Sequence, residues 1–316
     1  MNLLRVEDLS VSYVTERGEL KALSEVFLEL SEGEILGVLG ESGSGKSTLA
    51  YSVLRMLPPN AKIIKGKVIF EGKDLLRLSE EELSKIRGKR LTLIPQNSMN
   101  ALSPVHKIGD QLADVLVKHE GLSKREALKV VKEKLRIAKL SEDVTNRYFH
   151  ELSGGMRQRV MTAMSLLTDP KLIIADEPTT GLDVIVQYQL LRELKSLQRK
   201  LGFSMMIISH DVSVIAKISD FVMVLYGGRV LECGDVISVF KGPKSPYTQL
   251  LLASFPDISS PVEKITEIPG SPPDLIEPPE GCIFHPRCPY ATEACRRKEP
   301  PLVRVGEGHY ARCHLL

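Results

Sequence analysis

The chain has no tryptophan, and aromatic residues make up only 5% of its 316 positions. No apolar run reaches the ~18 residues that a bilayer-spanning helix needs, so a membrane-embedded pore is not expected on this chain. Charge of one sign is also missing: 42 Lys+Arg against 40 Asp+Glu leave a net charge of +2. That balance gives no global reason to expect a nucleic-acid partner. The first residues, Met1-Asn2-Leu3-Leu4-Arg5-Val6-Glu7-Asp8, lack the basic-then-apolar order of a secretory signal. The chain is therefore expected in the cytosol. Cysteine is scarce until the end, where four of the five lie after residue 281. What remains is ordinary globular composition, 43% hydrophobic and 26% charged. This length suits two domains, or one domain and an appendage, with a sizeable core.

Short apolar runs alternate with amphipathic helical stretches. Ile35-Leu36-Gly37-Val38-Leu39, Leu172-Ile173-Ile174-Ala175 and Met205-Met206-Ile207-Ile208 are continuous apolar runs. Such runs predict strands buried on both faces, as in a parallel sheet covered by helices. Helices are predicted over 47–57 and 184–201, so the alternation reads as α/β. Near the start, Leu4 to Tyr13, Ala22 to Leu30 and Lys67 to Phe70 alternate apolar and polar residues, which predicts an antiparallel layer. Residues 97–167 are mostly helical in pattern, with Leu128, Val131, Leu135 and Ala138 at helical spacing, and are expected to form a helical insertion. Thirteen of the 19 prolines lie from Pro243 onward. Proline suits neither helix interiors nor central strands, so a tail from Pro256 is expected to be extended and irregular. The expected division is 1–255 as one domain and 256–316 as a Pro-rich C-terminal region.

Gly40-Glu41-Ser42-Gly43-Ser44-Gly45-Lys46-Ser47-Thr48 fits G-x-x-x-x-G-K-[S/T], follows an apolar run and opens a helical one. Gly40, Ser42, Gly43 and Gly45 let backbone N–H groups converge on phosphate oxygens, and the helix N-terminus adds positive partial charge. Lys46 is placed for the β- and γ-phosphates, and Ser47, beside Thr48, for Mg²⁺. The run 172–175 then ends in Asp176-Glu177. An acidic pair there lies at the carboxyl edge of the sheet, where ligands bind in open α/β folds. Asp176 is expected to serve Mg²⁺, and Glu177 to polarise an attacking water.

These pieces resemble the ATP-binding subunit of ABC transporters. Leu152-Ser153-Gly154-Gly155-Met156 is similar to that family's signature and lies 20 residues before the acidic strand. Tyr13 matches the adenine-stacking aromatic, Pro95-Gln96 the Gln loop, Gly181-Leu182-Asp183 the loop after the acids, and His210 the switch histidine. Taken singly, each has a plainer alternative: Tyr13 a half-buried strand residue, Ser153 an N-cap, and Asp183 an acid favoured at a helix start. These markers, standing together in one order, outweigh those alternatives. The resemblance covers about residues 1–240. It implies a P-loop NTPase of the ABC cassette type, with a mixed sheet, an antiparallel β layer and a helical insertion, followed by an irregular Cys-rich tail. It also implies an ATPase using ATP and Mg²⁺, the metal served by Ser47, Gln96 and Asp176. Glu177, His210 and Gln96 would be the catalytic group. Two cassettes would sandwich ATP, so that Ser153, Gly154 and Gly155 meet the γ-phosphate bound by the partner. Met156 stands where many relatives have Gln; a glutamine follows at Gln158.

The segment from Pro95 to Pro104, the run Asp176 to Val184, and Ser245-Pro246-Tyr247-Thr248 before a Pro-rich stretch are similar to oligopeptide and dipeptide importers. The resemblance implies a peripheral subunit at the cytoplasmic face of the membrane. Its implied partners are two transmembrane permease subunits, a second cassette (a related chain or a self-copy) and, indirectly, an extracytoplasmic solute-binding protein. Alternatives are the same role for another solute, such as nickel, or a soluble ABC ATPase outside transport. Cys282, Cys288, Cys295 and Cys313 are separated by 5, 6 and 17 residues. A cytosolic chain is not expected to use disulfides, so four thiols in this span point to a metal or cluster. Four thiolates suit an iron–sulfur cluster or tetrahedral zinc, and unligated thiols are the third possibility. The importer resemblance implies a [4Fe–4S] cluster. His285, His309 and His314 are expected to be solvated neighbours, and Cys233 a small buried hydrophobe.

Overall fold

The computed structural model describes residues 2–96, 101–254 and 268–316. Asn97 to Asn100, in the segment likened to peptide importers, and the expected boundary at 255/256 lie outside the described residues. The strands are β1 (Asn2–Thr15), β2 (Gly18–Ser31), β3 (Ile35–Leu39), β4 (Ala61–Phe70), β5 (Lys73–Asp74), β6 (Leu91–Ile94), β7 (Leu172–Asp176), β8 (Ser204–Ile208), β9 (Phe221–Tyr226), β10 (Arg229–Asp235), β11 (Leu302–Gly306) and β12 (His309–Arg312). The helices are α1 (Lys46–Val53), α2 (Glu80–Ser84), α3 (Ile108–Glu120), α4 (Lys124–Ile137), α5 (Gly154–Ser165), α6 (Val184–Leu201), α7 (Val212–Ile218), α8 (Val236–Lys241), α9 (Pro246–Ala253) and α10 (Glu293–Arg297). Among the described residues no helix is long and apolar enough to cross a membrane.

The chain divides into two compact units. The first comprises Met1–Ser31, Ile35–Leu76 and Ser209–Leu316. In it, β2, β1, β4 and β5 form an antiparallel sheet in that order. The period-2 pattern read from the sequence holds on either side of a bulge in β1, with Leu4 and Val6 buried before it and Leu9 and Val11 after it, and along β2 Leu28 and Leu30 are buried. The second sheet of this unit runs β11-β12-β10-β9-β3. It is mixed, with β3 and β9 parallel and the remaining pairs antiparallel. Every residue of β3 is buried, as a continuous apolar strand between two covered faces requires.

The expectation of a wholly irregular tail is corrected here. Residues 302–312 form a hairpin whose strand β12 pairs with β10. The prolines end at Pro301, so the last segment is free to donate ladder hydrogen bonds.

The second unit comprises Glu32–Glu34 and Arg77–Ile208. Its strands β6, β7 and β8 are parallel, with β7 central, and β7 and β8 are buried throughout. Helices α3, α4 and α5 supply the expected helical part. Helix α4 opens on a capping box in which the Ser123 hydroxyl accepts from Glu126 N–H and the Glu126 carboxylate accepts from Ser123 N–H. It turns Ala127, Val131 and Leu135 inward. Helix α6 spans the predicted 184–201, whereas α1 stops at Val53, short of the predicted 57 and ahead of Pro58.

Candidate ATP site

In the first unit the phosphate loop leaves the carboxyl end of β3 and enters α1. Two glycines are needed by close approach. A Cβ on Gly40 (φ +151°) would sit 2.2 Å from the Leu225 carbonyl oxygen. One on Gly45 (φ +102°) would sit 2.6 Å from the Ala22 carbonyl oxygen. Both φ values favour glycine. Lys46 is 6% exposed and folds back over its own loop, its Nζ donating to the carbonyls of Gly40 (2.7 Å) and Glu41 (2.8 Å). Ser47 and Thr48 occupy the first turn of α1. The Tyr13 hydroxyl lies 3.2 Å from Thr48 Oγ1, which places the expected adenine-stacking ring beside the start of that helix. Ser209 N–H donates to Val38 O at 3.3 Å, so His210, exposed, directly follows a residue tied to the strand that launches the loop. This donor set fits a nucleotide phosphate with its magnesium: an ammonium, helix-start hydroxyls, and a loop that admits no side chain where it turns.

In the second unit Asp176 ends β7 and is 1% exposed. Glu177 follows with φ +46°, a left-handed conformation that costs a non-glycine residue roughly 1–3 kcal/mol. Its N–H donates to Ile208 O at 3.0 Å, which holds the turn. Gln96 lies just beyond β6, the parallel neighbour of β7. Its Nε2 donates to Glu177 Oε2 at 3.0 Å, so the structure brings these two expected residues together. Thr180 Oγ1 also donates to Glu177 Oε2, at 3.1 Å. Sequence reasoning missed Thr180, whose signal was a hydroxyl three residues after the acid.

Ser153 caps α5, its Oγ accepting from Met156 N–H at 3.4 Å, so the helix opens with Gly154 and Gly155 at its N-terminus. Gln158 does not stand in at position 156: it is buried and its amide donates to the Pro178 carbonyl. Asp183 caps α6, accepting from the N–H groups of Ile185 (3.1 Å) and Val186 (3.0 Å). The N-cap reading of Ser153 and the helix-start reading of Asp183 are thus both realised.

Against this geometry the comparisons are specific. The ABC transporter family profile matches residues 23–180, and the profile for the oligopeptide/dipeptide transporter C-terminal region matches 231–295. The oligopeptide transport ATP-binding protein OppD of Bacillus subtilis is 45% identical over 99% of this chain and 89% of its own length.

The chain belongs to the ABC transporter family.

The dipeptide transport ATP-binding protein DppD of Caldanaerobacter subterraneus is 42% identical, over 99% of this chain and 97% of that protein. Among solved structures, the ATP-binding cassette MJ0796, in a dimeric post-hydrolysis state bound to ADP and Pi, superposes with a TM-score of 0.66. It is 28% identical and covers 74% of this chain and 98% of its own. The chain is an ABC-type ATPase with the α/β cassette fold.

The four tail cysteines fare differently. Cys282, Cys288, Cys295 and Cys313, with His285 and His314, line one small cavity of about 20 Å³. All four are free thiols. Yet among the described residues no three His, Cys, Asp or Glu side chains are grouped closely enough to hold a metal ion. The expected [4Fe–4S] or zinc site is therefore not formed in this structure, although the donors converge on one place. Burial, reinforced by the other three cysteines, pushes the Cys282 thiol up to about 11. Burial also raises Cys288 and Cys313. Cys233 lies within β10 and is half-buried there, short of the small buried hydrophobe expected, and its neighbours still push its thiol up to about 12, mainly by desolvation. His309 is corrected: it is buried, with Nε2 2.7 Å from the carboxylate of the fully buried Glu232. The expectation failed because Glu232 is 77 positions away and only the β10–β12 pairing brings the two together.

Proposed function

We propose that this chain is the ATP-hydrolysing subunit that drives uptake of di- or oligopeptides through separate membrane permease subunits, docked at their cytoplasmic face. The observation that carries it is the match of residues 231–295 to the oligopeptide/dipeptide transporter C-terminal region, since the cassette by itself is shared by carriers of many solutes. The loop 40–48 binds the ATP phosphates, with Lys46 turning from the loop carbonyls to the phosphate oxygens. Tyr13 stacks on adenine. Ser47, Gln96 and Asp176 are the assigned Mg²⁺ residues; the ion, when bound, neutralises charge on the β- and γ-phosphates. Glu177 accepts a proton from the attacking water. Gln96 and Thr180, which both donate to Glu177 Oε2, orient that carboxylate. His210 contacts the γ-phosphate.

A second cassette supplies its Ser153-Gly154-Gly155 helix start to this ATP, and this chain returns the same. Val184, Ile185 and Tyr188, exposed by 80%, 73% and 49% just after Asp183, offer apolar surface for that pairing. For the four tail cysteines the reading is a soft-metal site, iron–sulfur before zinc, supported by their convergence alone. Anaerobic purification with iron and zinc analysis tests it, and colourless metal-free protein contradicts it. Co-purification from native membranes tests the main reading. A permease and a peptide-binding protein are the expected companions; recovery with a permease for a non-peptide solute contradicts it.

A further inference from the structure

One tail residue outside every ATP-site motif reaches into the phosphate loop. Arg287 ends the 3₁₀ turn His285–Arg287, next to Cys288, and is 7% exposed. All five of its N–H donors are engaged. Nε donates to Pro269 O at 2.7 Å. Nη1 donates to Glu41 Oε2 at 2.6 Å and to Tyr226 Oη at 3.2 Å. Nη2 donates to Glu41 Oε1 at 3.1 Å and to Ile268 O at 3.3 Å. Glu41 is the second residue of the loop and lies 246 positions from Arg287.

Glu41 is tied at its backbone as well. Its N–H donates to Tyr247 Oη at 3.1 Å, and its carbonyl accepts from Lys46 Nζ at 2.8 Å. The clamp stands on packed rings: Tyr226, Tyr247 and Phe284 lie with centroids 4.5, 5.1 and 5.2 Å apart. Phe284, like Arg287, sits between Cys282 and Cys288. Tail residues Pro272 to Leu275 also line a 240 Å³ cavity together with Glu41 to Ser44.

We propose that Arg287 is a positioning residue for the phosphate loop, through which the cysteine-bearing tail sets the affinity of the ATP site. It rests on the reading that this loop binds ATP. A bidentate Arg–carboxylate pair fixes orientation as well as proximity, and its burial shields it from salt. A loop that must present converging N–H groups binds in proportion to the time it spends in that shape. If loss of the clamp leaves one loop in ten competent, the apparent Kd rises about tenfold.

The test is nucleotide titration and steady-state hydrolysis on the full chain, for wild type, Arg287→Met, Arg287→Lys, Glu41→Gln and the Glu41→Gln/Arg287→Met double variant. Expected results are a Kd and a KM for ATP about tenfold higher in Arg287→Met, kcat within twofold, and partial recovery in Arg287→Lys. The double variant should be no weaker than the worse single one, because both remove one interaction. Hydrogen exchange over 302–312 reports whether the tail stays docked. An unchanged Kd with the tail docked overturns the proposal, and so do additive single effects. If Arg287→Met undocks the tail, Arg287→Lys and Glu41→Gln decide: wild-type affinity in both overturns it, weakened binding in both supports it. Failure of wild type to bind nucleotide would bring down the ATP-site reading and this proposal with it, a result distinct from a flat Kd series.

Discussion

Glu232 anchors the start of α9 as well as the C-terminal hairpin, and the cost of disturbing it follows from its partners. It is fully buried in β10. Oε1 accepts from Lys244 N–H at 2.8 Å and faces His309 Nε2 at 2.7 Å, while Oε2 accepts from Ser245 N–H at 2.9 Å. In Glu232→Gln the amide oxygen can replace Oε1, but the NH₂ group then faces the Ser245 N–H. One hydrogen bond to a charged acceptor is lost, about 1.5–3 kcal/mol, and a buried donor loses its partner, about 1–3 kcal/mol. Relaxation recovers part of the sum, so about 3 kcal/mol is the expected cost. At 1.36 kcal/mol per factor of ten this is roughly 150-fold in the local opening constant. Hydrogen-exchange mass spectrometry on peptides covering Ser245 and α9 should show that acceleration, with smaller changes over β6–β8. Exchange there within threefold of wild type would refute the view that this carboxylate holds the start of α9 to β10.

Lys46→Ala should raise the nucleotide Kd at least tenfold, about 1.4 kcal/mol, and a titration within twofold of wild type would contradict the phosphate-loop assignment. Asp183→Ala removes both cap hydrogen bonds from α6 and should lower stability by about 1 kcal/mol in denaturant titration, whatever its effect on turnover. In metal-free protein, where Cys282 is an unligated thiol, burial raises it, so its reactive thiolate is depleted at neutral pH and recovers only as pH approaches about 11. At pH 8 it should alkylate on the order of 100-fold more slowly than an unperturbed cysteine and accelerate with rising pH, as followed by mass spectrometry. A rate equal to that of a free thiol would show the tail to be open.

Much of the nucleotide-binding half was legible because its chemistry is local. Gly40 to Thr48 is one contiguous run, and β3, β7 and β8 are continuous apolar stretches because both of their faces are covered. Asp176-Glu177 stood out as an acidic pair ending such a stretch. The tail was harder to read. Proline density to Pro301 hid a hairpin of only nine residues in its two strands, and strand pairing is a long-range property. The Glu232–His309 pair and the Arg287–Glu41 clamp span 77 and 246 positions, and no local spacing signals either one. The four cysteines illustrate the opposite limit. Their grouping was visible in the sequence, but thiol count and spacing do not fix ligating geometry, and the described residues do not adopt it.

Phosphate release by the purified chain, measured beside Glu177→Gln, tests the central claim most directly. The substitution preserves size and leaves an oxygen to accept from Gln96 and Thr180, so folding and ATP binding should persist. Turnover should fall by a factor of about 10²–10⁴, the usual worth of a positioned general base. Hydrolysis by Glu177→Gln at the wild-type rate would contradict the account.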